Sequence, residues 1–175
     1  LRFIQYYNLS FYKIYVWCKS AKGGVLEREF RHFTNVEIIK VSLTSICFLN
    51  YFKLINLIKT NKIDAVCDFT GSFSGFTMLS SSLMKVPVRL VFYRNADDKF
   101  NKLFYKVLLR KLIQKFTEKY STKILSNSKT ALNYFYPKRS KNSLKFRVIY
   151  NGINSKQFKQ VINYESKLNE LGIPN

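Results

Sequence analysis

Short apolar runs alternate with longer segments of helical periodicity along almost the whole chain, and this alternation narrows the fold more than any other feature. Tyr12 to Cys18 (YKIYVWC) is rich in β-branched and aromatic residues and ends at the polar turn Lys19-Ser20-Ala21-Lys22-Gly23-Gly24, so it reads as a strand. Val25 to Phe33 reads as a helix, and Val36 to Val41 as a second strand. Ile46 to Thr60 places Phe48, Leu49, Phe52, Ile55 and Ile58 at three- and four-residue spacings, which predicts an amphipathic helix. Ala65 to Phe69 (AVCDF) is nearly all apolar, as a strand covered on both faces is, and Gly71 to Met84 follows as a closely packed helix of small residues. Val88 to Tyr93, entered through Pro87, is the next strand.

Between Asp97 and Tyr120, Phe100, Leu103, Phe104, Val107, Leu108, Leu112, Ile113 and Phe116 mark one helical face. Lys99, Lys102, Lys106 and Arg110 mark another, and Asp97 or Asp98 suits the N-cap. Lys123 to Leu125 is a short strand; Ser126 or Ser128 caps a helix to about Tyr136, where Pro137 stops it. Phe146 to Tyr150 is the last strand, running into Asn151-Gly152. Strands and helices alternating in this way build βαβ units. The fold class is therefore α/β and Rossmann-like, with a mostly parallel sheet and helices on both faces. In such sheets ligands sit beyond the carboxyl ends of the strands, so the strand-end loops are where chemistry is sought.

With 175 residues, 47% of them hydrophobic and 17% aromatic, the chain holds material for one ordinary core. Thirty Lys plus Arg against ten Asp plus Glu give a net charge of +20, which attracts phosphate-bearing partners: nucleic acid, anionic lipid or lipid diphosphates. A general bias toward Lys, Asn, Ile, Phe and Tyr accounts for that charge equally well. Cys18, Cys47 and Cys67 are odd in number, widely spaced and set among apolar residues, so neither a disulfide framework nor a zinc site is indicated, and a reducing cytoplasm fits. The longest apolar stretch, Ile46 to Ile58, is broken by Asn50, Lys53 and Asn56, short of the roughly 18 residues of a spanning helix.

Three loops carry polar groups suited to a ligand. Lys22, Gly23 and Gly24 precede a helix and are phosphate-binding candidates, although a Gly-Gly pair also makes a plain tight turn, and there is no GxxxxGK[ST] or GxGxxG. Asp68 to Gly75 puts hydroxyls and free amides, notably Gly71 and Ser72, at a helix start, which suits sugar hydroxyls. Tyr93, Arg94 and Asn95 leave a buried strand with a guanidinium and an amide able to hold a diphosphate or a sugar; a salt bridge from Arg94 to Asp97 or Asp98 is the rival reading. His32, the single histidine, has no ligand partner at metal spacing, so no metal site and no Ser-His-Asp or Cys-His constellation is expected. The basic helix from Lys99 to Lys119 suits a polyanion or an anionic membrane surface, but its aromatic residues fall on the core face, which disfavours stacking on bases.

Four segments in order carry a resemblance: KIDAVCDF, VPVRLVFYRNAD, STKILSNSKTALNYF and VIYNGINSKQF. They resemble the K-x-D-V-V strand, the V-P-x-R-I strand, the A-T-x-I-x-x-S strand and helix, and the N-G-I/V-D-x-x-x-F stretch of family 4 glycosyltransferases, with Asn154 where Asp is common. The resemblance implies the N-terminal half of a GT-B fold, truncated at both ends, in a retaining enzyme that moves a sugar from a nucleotide sugar to a glycan or lipid-linked acceptor in surface polysaccharide synthesis. Residues 1–150 would form the acceptor-side domain, the family's glycine-rich first strand and loop preceding Leu1. Residues 151–175 would be the linker and the start of a donor-binding domain.

Gly71, Ser72, Tyr93, Arg94 and Asn95 are then the acceptor-binding candidates, and the fragment alone would not turn over. Some members carry a histidine after the V-P-x-R-I strand; here the chain reads Phe92-Tyr93-Arg94-Asn95, so that role is not carried over and the catalytic residues stay unassigned. No cofactor is expected beyond the donor nucleotide sugar of the second domain. Partners implied are that donor, a glycan or lipid-diphosphate acceptor, and an anionic membrane surface holding a cytoplasmic enzyme at the inner face. A nucleic-acid-binding module, or a stand-alone Rossmann-like binder of small molecules, is the alternative; no nucleic-acid motif supports the first.

Overall fold

In the computed structural model, which describes Ile4 and residues 11–20, 22–43, 48–95, 104–138, 143–152 and 168–172, every strand ladder is parallel. β1 (Ile14–Trp17) pairs with β2 (Val36–Ile39), Ile14 opposite Val36. β3 (Ala65–Asp68), β4 (Val88–Tyr93), β5 (Lys123–Ser126) and β6 (Phe146–Val148) form a four-stranded sheet in that order, with Cys67 opposite Leu90 and Val91 opposite Ile124. The strands are thus hydrogen-bonded in two blocks, which meet at β1 and β3. Trp17 packs into the same cluster as Val66, and Lys19, just past β1, bonds Asp68 at the end of β3.

Among the described residues five helices connect these strands: α1 (Glu27–Arg31), α2 (Phe48–Thr60), α3 (Gly75–Leu83), α4 (Phe104–Tyr120) and α5 (Lys129–Phe135). Crossovers between parallel strands are right-handed. The step from β1 to β2 runs one way across the strands and every later step runs the other, so α1 lies on one face and α2 to α5 on the opposite one. Within that layer α3 touches both α2 and α4, and the Gln114 amide donates to the Phe135 carbonyl, tying α4 to α5.

Strand alternation then decides what is buried. Val91, Tyr93 and Ile124 share the face under α3 and α5 and join Met78, Leu132, Phe135 and Tyr136 in one core cluster. A second cluster, Leu43, Tyr51, Leu54, Ile58 and Val86, seats α2 against the junction of the two strand blocks. The small residues of α3 let α4 come close. A Cβ on Gly75 would lie 2.3 Å from the Ile113 carbonyl oxygen, and Phe76 and Phe116 meet edge to face at 5.8 Å.

The helix read over Gly71 to Met84 is in fact broken. Gly71 has φ +57°, a left-handed conformation that a right-handed helix cannot pass through, so Gly71–Phe73 form a 3-10 turn and α3 starts at Gly75. α1 is shorter than Val25 to Phe33, because the Gly24 carbonyl takes the Glu27 N–H and makes residues 25 and 26 a turn. Ser128 is the N-cap of α5, its Oγ accepting from the Ala131 N–H at 3.1 Å. The cap at Asp97 or Asp98, Lys99, Lys102, and everything beyond Gly152 in VIYNGINSKQF lie outside the described residues.

Candidate functional site

The point where strand order reverses falls between β1 and β3, and at their carboxyl ends a buried ion pair has formed. The Lys19 ammonium donates to Asp68 Oδ2 at 2.5 Å and to Thr70 Oγ1 at 2.9 Å. Asp68 Oδ1 accepts from the Thr70 N–H at 2.9 Å and its hydroxyl at 2.6 Å. The side chains are 2% exposed for Asp68 and 18% for Lys19. Burial alone would raise the Asp68 pKa, but the Lys19 charge, with the Lys19 and Thr70 hydrogen bonds, outweighs it and holds the carboxyl below its usual range.

Asp68 is therefore an anchored anion at neutral pH, ill-suited to taking a proton. Lys19 has three N–H donors, two of which go to Asp68 and Thr70. The third can serve a hydroxyl or a phosphoryl oxygen at the mouth of the crevice. The same carboxylate acts on its surroundings. Burial, then the Asp68 charge, push the Tyr51 phenol up to about 12; for Cys67 the surrounding protein and then Asp68 push the thiol up to about 12.

The sequence candidates fall along this edge in different ways. Gly71 and Ser72 lie in the 3-10 turn directly after the ion pair, and Ser72 helps line a cavity of about 10 Å³ with Tyr93, Arg110, Gln114 and Phe135, room for a single water at most. Tyr93 is buried in the core, its hydroxyl 2.9 Å from that of Tyr136 and its ring beneath Gly71, so it supports the turn from below. Arg94 and Asn95 are exposed at the end of β4, and the Asn127 amide fixes the strand exit by donating to the Arg94 carbonyl at 3.0 Å. Asp97 and Asp98, the rival partners for Arg94, lie outside the described residues.

Lys22, Gly23 and Gly24 are exposed beyond β1. Glu27 folds over Gly23, so that a Cβ there would meet its carboxylate oxygen at 2.0 Å. Glu27 is itself held by Arg31 at 2.6 Å and Lys40 at 3.0 Å, and those partners, Arg31 first, lower its pKa. An open depression of about 530 Å³ over α1 is lined by both Glu27 and Glu29 and both Arg28 and Arg31, so it offers a phosphate no net sign of charge.

Lys19 was not among the sequence candidates, and Asp68 only opened the candidate loop Asp68 to Gly75. The available signal was Asp68 itself, a lone carboxylate ending an apolar strand, which must find a cation once buried. That the cation would come from a position 49 residues earlier is a consequence of β1 and β3 lying side by side. Among the described residues no group of three His, Cys, Asp or Glu is placed to hold a metal ion, and no helix is long and apolar enough to cross a membrane.

These features define a Rossmann-like α/β unit of parallel strands with a polar crevice at the reversal of strand order. No family model and no curated protein sequence matches the chain. Among solved structures it is similar to HepE of Anabaena. The structure of HepE with UDP-glucose superposes with a TM-score of 0.58 at 16% identity, over 91% of this chain and 50% of that one. The complex with UDP gives 0.59 at 17% over 92% and 50%, and that with UDP and glucose 0.56 at 16% over 91% and 50%. At such identity the likeness is one of fold, and the chain spans about half the length of the HepE structures it matches.

Proposed function

We propose that this chain is the acceptor-side half of a GT-B glycosyltransferase of family 4 that transfers a sugar from a nucleotide sugar, with retention, to a glycan or lipid-linked acceptor in surface polysaccharide synthesis. The observation that carries the reading is the Lys19–Asp68–Thr70 cluster at the strand-order reversal, where α/β sheets of this kind receive ligands. The ordered motifs ending in VIYNGI and the fold likeness to HepE, solved with UDP-glucose, support it.

In this reading residues 151–175 lead toward a donor-side half that holds the nucleotide diphosphate. The acceptor hydroxyl oxygen bonds to the anomeric carbon on the face from which the phosphate oxygen departs, as retention requires, and the hydroxyl proton passes to that departing oxygen. The task of this half is positioning: Lys19 gives its remaining N–H to an acceptor oxygen, Arg94 and Asn95 close over it, and Gly71 and Ser72 offer turn amides and a hydroxyl. Lys22 to Gly24 lie beyond this set, as a second contact for a phosphate.

The test joins this chain to a donor-side half and measures UDP release from a panel of UDP-sugars with membrane extract as acceptor. Release that needs the acceptor is expected. Lys19→Met should lower it about tenfold or more through a raised acceptor KM, with donor KM unchanged, as loss of a charged hydrogen bond requires. Failure of every nucleotide sugar to turn over would sink the proposal.

A further inference from the structure

We infer that the ring of Phe69 is a platform for the apolar face of a pyranose, so that the acceptor taken at this edge already carries a sugar. The inference rests on the acceptor-binding reading of the edge and narrows it. Val91 and Tyr93 point into the core under α3 and α5, so strand alternation turns Phe92 to the opposite face of the sheet. There its half-buried ring meets that of Phe69, with centroids 5.9 Å apart and planes at 36°. Phe92 thus props Phe69, which stands in the turn directly after β3 and is still 50% exposed. Phe73, 43% exposed, ends the 3-10 turn that follows.

Single apolar residues are common on protein surfaces and need no ligand. Phe69 differs in its company. Asp68 and Thr70 flank it in the chain, and the exposed Thr70 has its hydroxyl held between the Lys19 ammonium at 2.9 Å and Asp68 Oδ1 at 2.6 Å. A ligand at this edge therefore meets an aromatic face and fixed hydrogen-bonding groups within two residues of one another.

This combination selects the ligand chemistry. A phosphate calls for uncompensated positive charge, and Lys19 and Asp68 sum to none. A prenyl chain would match the ring and leave the third Lys19 N–H unserved. A pyranose satisfies both, with a face of polarised C–H bonds for the negative face of the ring and a rim of hydroxyls for the donors. A bare lipid diphosphate has no such ring. The class of reaction that supplies this acceptor is then itself a glycosyl transfer, which has placed the first sugar, and this protein extends what that step began.

Saturation-transfer NMR of the chain with the methyl β-glycosides of glucose, galactose and N-acetylglucosamine, and with farnesyl diphosphate, tests this. Transfer is expected to the axial ring protons of a glycoside, one face above the other. Phe69→Ala should weaken glycoside binding roughly three- to tenfold, Phe69→Leu should bind as poorly, and Phe69→Trp should bind as the wild type does. The thermal midpoint is read alongside; should Phe69→Ala lower it, the contrast between the two bulky variants, Leu and Trp, decides. No transfer to any glycoside, or equal binding by the Leu and Trp variants, would overturn the inference. In the enzyme joined to a donor-side half, Phe69→Ala should raise acceptor KM by the same factor with kcat unchanged. Turnover on a prenyl diphosphate without a sugar, indifferent to Phe69→Ala, would overturn the inference and leave the proposed transfer standing. Glycoside binding through Phe69 with no turnover of any nucleotide sugar would keep the platform and sink the transfer.

Discussion

At the amino edge of the sheet, cations are spent on the backbone. The Arg89 guanidinium donates to the Tyr120 carbonyl at 2.6 Å and to that of Val86, Lys145 donates to the Glu118 carbonyl, and Lys123 to the Leu144 carbonyl at 2.7 Å. These carbonyls include the last turn of α4, where helix ends leave acceptors unmet and positive charge is favoured. At the carboxyl edge the arrangement is reversed. Lys19 is held by one buried carboxylate and a hydroxyl, keeping a donor in reserve, and Arg94 stands exposed. The difference separates two uses of one residue type: cations that close the fold, and cations that the fold holds ready.

The comparison is tested most severely at Asp68. Asp68→Asn leaves the Lys19 ammonium with little solvent and no counter-charge, and removal of one partner from a buried pair costs about 3–5 kcal/mol. Urea unfolding at pH 7 should show that loss, and Lys19→Met with Asp68→Asn should recover a large part of it. The pH dependence has a fixed sign. A carboxyl held below its unfolded pKa of about 3.9 stabilises at every pH above that value, and the contribution disappears as pH falls through the folded pKa. The wild type should therefore lose stability below about pH 4 along a limb that Asp68→Asn lacks. An identical acid limb in the variant would mean that the pair does not anchor this edge.

Arg89→Met is the counterpart at the other edge. It leaves the Tyr120 and Val86 carbonyls without a charged donor, a loss of about 1.5–3 kcal/mol. The loss should show as a lower urea midpoint, and sugar transfer by the joined enzyme should change only as far as stability does. A specific rise in acceptor KM or fall in kcat with stability unchanged would erase the distinction between the edges.

The amino edge was the more legible of the two in the sequence. Its motif, VPVRL, is local: Pro87 opens the strand, Val86 and Val91 enter the core, and Arg89 reaches carbonyls that any helix of this kind must leave over. Element order and type followed from periodicity, since the strands are short and mostly apolar and the two longest helices, α2 and α4, are amphipathic. What periodicity could not carry was distance along the chain. The pairing of Lys19 with Asp68 depends on β1 lying beside β3, and the break at Gly71 depends on Tyr93 lying beneath it, a Cβ there meeting the ring at 3.0 Å. Tyr93 shows the converse: a polar aromatic at a strand exit reads as a ligand contact, whereas its hydroxyl belongs to Tyr136 in the core. Burial and Tyr136 together set its behaviour, burial pushing the phenol up to about 12.

Backbone conformation gives the comparison its finer grain, because both edges contain a left-handed residue. At the carboxyl edge it is Gly71, with φ +57°. Gly71→Ala should cost about 1–2 kcal/mol for the backbone alone, and more through contact with the Tyr93 ring, and it should tilt the turn that carries Ser72. The measurement is the shift in urea midpoint together with acceptor KM, both of which should worsen. A midpoint shift with unchanged KM would remove the turn from the binding edge.

At the amino edge there are two among the described residues, Lys62 with φ +48° just past α2 and, just past α3, Lys85 with φ +56°. Lys85 closes its helix in the usual way, its N–H donating to Ser82 and that of Val86 to Ser81, but a side chain stands where glycine is favoured. Lys85 is exposed and its side chain makes none of the hydrogen bonds that hold this edge. Lys85→Gly should therefore relieve the backbone strain at no loss of contact, raising stability by up to about 1 kcal/mol, less the added freedom of the unfolded chain. The thermal midpoint should rise by a few degrees while acceptor KM stays fixed. The opposite signs expected for Gly71→Ala and Lys85→Gly come from one torsion angle at two places, and only at the carboxyl edge should the change reach the ligand.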